Sequence, residues 1–142
     1  MNAEMTAKLI GAPGEPPPEG GYALRVVETR GRSTGEPRLV PLAVVARGGG
    51  RYLVSPVRDR DWVANLLDAP ECALLAAGER QDCRAESVDG DEAAGVVATY
   101  LAAMSVPWAV KAFPVPQDAT HEQISAHLPE MAVFRLSTVD TP

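Results

Sequence analysis

The sequence predicts an α+β, mainly β fold: about six mostly antiparallel strands closed into a small barrel, with helices packed outside it. Three observations carry this reading. Two β-rich segments meet at Gly48-Gly49-Gly50 and two more at Gly78-Glu79, which makes two hairpins. An apolar segment near the C-terminus supplies a return strand. The helical segments fall between strand pairs, without the regular strand–helix alternation of a doubly wound sheet. Hairpins and a return strand together favour a closed antiparallel barrel.

Residues 1–21 read as an N-terminal segment and linker, and residues 22–142 as the barrel domain. Met1 to Ile10 has room for one or two helical turns. Gly11 to Gly21 holds four prolines and four glycines, which makes it a loop or extended linker. Tyr22 to Thr29 (YALRVVET) is rich in β-formers and opens the barrel. A polar loop, Arg30 to Pro37, leads to a second apolar strand, Arg38 to Arg47. Pro41 lies inside that strand, so the strand is an edge there or is bulged. After the glycine turn, Arg51 to Ser55 is the third strand.

Asp59 to Leu67 brings Trp62, Val63, Leu66 and Leu67 to helical spacing, with Asp59 or Asp61 as the candidate N-cap and Pro70 as the stop. Glu71 to Ala77 and Asp82 to Val88 form the second hairpin. Asp89 or Asp91 then caps a helix running to Met104, with Ala94, Val97, Ala98, Leu101 and Met104 along one face. Pro107 to Pro116 reads as irregular. Thr120 with Gln123 resembles a capping box for a helix reaching Leu128. Met131 to Leu136 is the last strand.

A chain of 142 residues fits one domain. With 46% apolar and 23% charged residues it can bury a real core, which excludes a disordered chain. No apolar run approaches the ~18 residues of a membrane span. Met1 to Ile10 lacks the long apolar stretch of a secretory signal, and two cysteines are too few for a disulfide scaffold. Both points favour the cytoplasm. The net charge of −6 argues against general nucleic-acid binding. Yet Arg30 to Arg60 contains seven arginines and only two acids, Glu36 and Asp59, so this segment carries +5 and the remainder −11. That asymmetry suits a local anion site, and it also suits scattered solvated charges.

Paired Cys-x-x-Cys units, a G-x-S-x-G elbow and a Walker A loop are all missing, so neither a metal site nor those chemistries are expected. His121 and His127 are six residues apart on one helix and face different ways. Cys72 and Cys83 sit on the two arms of one hairpin, where packing as small apolar residues is the default. The informative segment is Thr29 to Leu42, TRGRSTGEPRLVPL. It gathers two glycines, three hydroxyls and three arginines between two strands. Such a loop can offer backbone N–H groups to an anion, and arginine forks add bidentate bonds to phosphate or carboxylate. An ordinary surface loop needing glycine to turn has the same composition.

The run Gly31-Arg32-Ser33-Thr34-Gly35-Glu36-Pro37-Arg38, continued by Pro41-Leu42, resembles the G-R-K-[ST]-G-x-x-R loop of the deazaflavin-dependent nitroreductases, the reductases that use coenzyme F420 and include the F420H2-dependent quinone reductases. Gly50 with Tyr52-Leu53-Val54-Ser55 is similar to the family's G-x-x-x-V-x-x-S strand. Trp62-Val63-Ala64-Asn65-Leu66 is similar to its W-x-x-N-L helix. The resemblance covers about residues 22 to 104. It implies a split β-barrel of the flavin-reductase or FMN-binding kind. It also implies coenzyme F420 in a groove, its phosphate and acidic tail on the basic loop, with FMN or no cofactor as alternatives. By position, Arg32, Ser33, Thr34, Gly35 and Arg38 would hold the phosphate and tail, and Pro41 extends the same motif. Ser55 would lie beside the cofactor. Trp62 and Asn65 match the following helix, where packing and structural hydrogen bonding are their other roles. The chain departs from the pattern at Ser33, where the family has Lys, and at Pro56 to Asp61, where Arg58 or Arg60 could restore the missing charge.

Two functions follow. One is a reductase passing a hydride from reduced deazaflavin to a quinone, enone or nitro acceptor, with Tyr100 and Trp108 on the acceptor side. In that chemistry the cofactor reacts and no catalytic side chain is named. The other is a non-redox barrel that binds a small molecule and has lost or changed the cofactor. A homodimer is expected, because many split barrels build their groove near a dimer interface.

Overall fold

The computed structural model describes residues 16–139. The expected helical turns of residues 1–10 and most of the proline-rich stretch lie outside that range. β1 (Tyr22–Arg30), β2 (Pro37–Arg47) and β3 (Gly50–Ser55) form the first meander, and β4 (Glu71–Ala76) and β5 (Glu79–Ser87) the second hairpin. β6 (Ala132–Thr138) returns between β3 and β5. All six pairings are antiparallel, and the order β1-β2-β3-β6-β5-β4 closes back on β1. The α+β barrel read from the sequence is the observed fold.

Alternation along the strands divides the core into two layers. Val27, Val44, Leu53, Leu74, Cys83 and Phe134 point into the barrel. Val45, Tyr52, Val54 and Val133 point outward under α2 (Gly90–Ala103) and α4 (His121–His127). α1 (Asp61–Asp68) inserts Trp62, Val63 and Leu66 into the inner cluster and so caps one end of the barrel. The Trp62 and Phe134 rings lie 6.0 Å apart, a tilted contact.

Pro41 pairs with Val26 of β1, while β3 joins β2 only from Val44 to Arg47. The first half of β2 therefore has one paired side. Pro41, which lacks an N–H, is placed where a second ladder bond is not required. This leaves the barrel wall open beside Arg38 to Leu42.

Several local expectations are corrected. The first hairpin turns on Gly48 and Gly49, at φ 60° and 81°, and the second on Ala77 and Gly78, at φ 55° and 72°, not on Gly78-Glu79. A two-residue turn that matches strand twist needs positive φ at both positions, which moves the second turn back by one. The N-cap of α1 is Arg60, without a side-chain cap bond, and Asp61 is a first-turn acid. Leu67 is 54% exposed, because Trp62, Val63 and Leu66 already fill the buried face. In α2, Ala94, Val97 and Leu101 are buried as expected, with Met104 at the C-cap; Ala93 and Val96 join them, and Ala98 alone of the expected face is exposed. Pro107 starts a short helix, α3 (Pro107–Lys111); a proline at the first position has no N–H to leave unsatisfied. The Thr120–Gln123 capping box forms as expected: the Thr120 hydroxyl accepts from the Gln123 N–H and the Gln123 side chain accepts from the Thr120 N–H.

Candidate functional site

The loop between β1 and β2 lies at the barrel end capped by α1. It closes tightly on itself. The Gly31 N–H donates to the Glu36 carbonyl at 2.8 Å and the Gly35 N–H to the Gly31 carbonyl at 2.7 Å. The Thr34 hydroxyl accepts from the Glu36 N–H at 3.1 Å. Gly35 sits at φ 74° with open space where a side chain would be, so glycine is required there by backbone conformation. Gly31 is buried against the Glu36 carbonyl, the Thr34 hydroxyl and the Arg38 side chain. These bonds use most of the loop's backbone donors. Ser33 and Thr34 keep theirs without a partner among the described residues.

A buried carboxamide ties the loop to α1. Asn65 is 3% exposed and Thr29 2% exposed. The Asn65 Oδ1 accepts from the Arg32 backbone N–H at 3.3 Å and from Arg32 Nη1 at 2.8 Å. Its Nδ2 donates to the Thr29 hydroxyl at 3.2 Å. Arg32 Nη2 reaches Asp61 Oδ1 at 3.4 Å. Arg32 is thus partly committed to holding the loop on the helix, and Asn65 is the buried group that receives it.

Arg38 is placed differently. It is the register partner of Thr29 across β1 and β2, so both side chains leave the sheet on the same face. Val40 and Leu42, two and four residues on, pack against the inner cluster, which puts Arg38 at the open mouth of the barrel. It is exposed and makes no ion pair among the described residues. Arg58 donates from Nε to the Pro129 carbonyl at 3.1 Å. Ser55 is fully buried, and its hydroxyl donates to the Val57 carbonyl, which fixes the turn into α1. Trp62 is a core anchor.

A cavity of about 390 Å³ opens beside the loop, lined by Thr29, Arg30, Gly35, Pro37 and Cys72 among others. Glu28, Glu71 and Asp82 line it too; Arg80 bridges Glu28 and Asp82 at 2.7 and 2.8 Å, and Glu71 lies 3.9 Å from Arg84. Arg38 is not part of that lining: paired with Thr29, it leaves the sheet on the face opposite to Arg30, beside the loop and its two unused N–H groups. Burial pushes the Cys72 thiol up to about 12 and raises that of Cys83. Neither is a nucleophile near neutral pH. Among the described residues no cluster of His, Cys, Asp and Glu could hold a metal ion, and no helix is long and apolar enough to cross a membrane.

Tyr100 and Trp108 lie in the outer helical layer. Tyr100 packs on Phe113, with ring centroids 5.1 Å apart, and burial raises its phenol above the ordinary value. Trp108, on α3, is 77% exposed. The role of Thr29 and the Asp61 contact were missed from sequence. The pairing of a buried Thr at a strand end with the Asn of W-x-x-N-L was the available signal.

A family model described as F420H(2)-dependent quinone reductase matches residues 3–124. The fold is shared with an F420-H2 dependent reductase, FDR-A, at 22% identity and a TM-score of 0.53, covering 87% of this chain and 100% of that one. It is shared also with HutZ, a heme storage protein from Vibrio cholerae, at 16% identity and a TM-score of 0.55, covering 83% and 82%. A third structure, described as a domain-swapped dimer, matches at 23% identity and a TM-score of 0.53, covering 80% and 79%. No curated protein matches the chain.

Proposed function

Because this chain belongs to the F420H(2)-dependent quinone reductase family, whose cofactor is coenzyme F420, we propose that it reduces a quinone, with enones and nitro compounds as further acceptors. When bound, the deazaflavin supplies the hydride. The observation that carries the reading is the exposed, ionically unpaired Arg38 beside a loop clamped in place by Asn65. An anionic cofactor fits this donor set: the two free loop N–H groups and the exposed Arg38.

The residues then divide by task. Arg38 binds the phosphate or acidic tail directly, with the Ser33 and Thr34 N–H groups and the Thr34–Gly35 turn completing the cradle. Arg32 acts mainly by holding that cradle on α1. Pro41, with Val40 and Leu42, shapes the open wall along which the ring system lies. Ser55, Trp62 and Arg58 fix the start of α1 and the segment before it. Tyr100 and Trp108 stand for the acceptor side, Trp108 as the exposed ring. The structural neighbour described as a domain-swapped dimer supports a homodimer for this chain too.

The direct experiment mixes the protein with reduced F420 and a soluble benzoquinone and follows deazaflavin reoxidation optically. Protein-dependent turnover supports the reading. Tight F420 binding without turnover on any quinone, enone or nitro compound would replace it with a non-redox binding role.

A further inference from the structure

We propose a second ligand site at the opposite end of the barrel from the basic loop: the Arg51 guanidinium receives a small organic carboxylate carried on an apolar body. β3 runs from Gly50 to Ser55. Ser55 lies at the α1 end, so Arg51 is four residues, roughly 13 Å, away at the other mouth. Residues 51, 53 and 55 alternate with the outward-facing Tyr52 and Val54, which turns the Arg51 side chain into the lumen.

A charge at the end of a barrel lumen needs compensation. Here the partners are neutral. Arg51 Nη1 donates to Gln81 Oε1 at 2.6 Å, and Nη2 donates to the Thr138 hydroxyl at 3.0 Å and contacts Cys83 Sγ at 3.9 Å. No acid pairs with it among the described residues. A guanidinium has five N–H donors in a planar fork, so donors remain. Gln81 and Thr138 hold that fork in one orientation, a preorganised receptor for a planar oxyanion.

A cavity of about 270 Å³ lies against it, lined by Arg25, Val44, Arg51, Leu74, Ala76 and Gln81 among others. Its floor is the apolar end of the inner core, since Val44 and Leu74 are 1% and 6% exposed. Arg80, also on its wall, is engaged with Glu28 and Asp82, and Glu79 is the one acid in the lining. The cavity is smaller than the roughly 300–1,000 Å³ of drug-sized sites. A fixed cation and an apolar floor together select a short apolar molecule ending in a carboxylate.

The test uses benzoate as the probe, inorganic phosphate as a second anion and chloride at matched ionic strength as the reference, read by calorimetric titration and thermal melting. The wild type should bind benzoate with a melting shift beyond that of chloride. R51Q should weaken benzoate at least tenfold. A76L, which narrows the cavity and leaves every charge in place, should weaken it comparably and keeps the test decisive if R51Q does not fold. R38A, at the other end, should bind benzoate as the wild type does. Benzoate acting no differently from chloride, phosphate binding without benzoate binding, or benzoate affinity unchanged in A76L would each overturn the assignment.

Discussion

Asn65 accepts two hydrogen bonds from one residue, Arg32: the backbone N–H at 3.3 Å and the guanidinium Nη1 at 2.8 Å. A single carboxamide on α1 thereby fixes both the path of the anion loop and the direction of its first arginine. The same carboxamide donates to the Thr29 hydroxyl, so the loop, the helix and the strand beside Arg38 form one unit.

Asn65→Ala should break that unit. It leaves the buried Thr29 hydroxyl and the Arg32 N–H without their partner, and leaving such groups unsatisfied costs about 1–3 kcal/mol. Chemical denaturation should show this loss, with weaker F420 binding alongside it. Asn65→Asp keeps the acceptor toward Arg32 and should retain more affinity than Asn65→Ala. Equal affinity in the wild type and Asn65→Ala would mean that the loop is held by other contacts.

Ala77→Gly should stabilise the fold. Ala77 is an exposed non-glycine residue at φ 55° in the second hairpin, a conformation that costs roughly 1–2 kcal/mol for an L-residue with a Cβ. Relief of that strain outweighs the extra freedom glycine brings to the unfolded chain. A gain of about 1 kcal/mol in unfolding free energy, read by chemical denaturation, is expected, and a loss would show that the turn carries no strain.

Stability should depend on pH in opposite ways on the two sides of neutrality. The Tyr52 hydroxyl donates to Glu92 at 2.8 Å, and Arg135 donates to the same carboxylate. The Tyr52 bond, followed by Arg135, lowers the Glu92 carboxyl from 4.5. That contribution is complete above 4.5 and is lost as pH falls through the lowered folded value. Burial, and then the Glu92 bond, raise Tyr52 from 10.0. That contribution is complete below 10.0 and is lost as pH rises further. The buried thiols, raised from 9.0, add to the alkaline loss. Melting temperature against pH should therefore fall at both ends. Tyr52→Phe should shrink the alkaline fall without removing it, because Tyr100 and both thiols remain. An unchanged alkaline limb in Tyr52→Phe would rule out the Tyr52–Glu92 contact as a contributor.

Much of the fold was legible because it depends on local chemistry. Glycine at Gly48 and Gly49 announces a turn with positive φ, and the alternation of Val27, Val44, Leu53 and Phe134 with polar or outward residues announces a closed sheet. The Thr120 capping box depends on residues three apart and was equally readable. What the sequence concealed depends on distance along the chain. Arg32 meets Asn65 across 33 residues and Asp61 across 29, so no local pattern shows that this arginine serves the helix as well as a ligand. The second turn was misplaced because Ala77, unlike glycine, gives no local warning of a left-handed conformation. Arg38 was legible as a cation in a loop, but its position at the barrel mouth follows only from its register opposite Thr29.

The most direct measurement is F420 affinity and melting temperature determined together on the wild type and Arg38→Ala. A charge-assisted contact contributes roughly 1.5–3 kcal/mol, so the substitution should weaken F420 binding about ten- to hundredfold. Melting should change little, because Arg38 is exposed and makes no ion pair among the described residues. Added salt should weaken the wild type more than the variant, since the lost contact is solvent-exposed. If Arg38→Ala instead binds F420 as tightly as the wild type, or lowers the melting temperature while leaving affinity intact, the barrel-mouth arginine is a structural strut and the proposed cofactor site is in the wrong place.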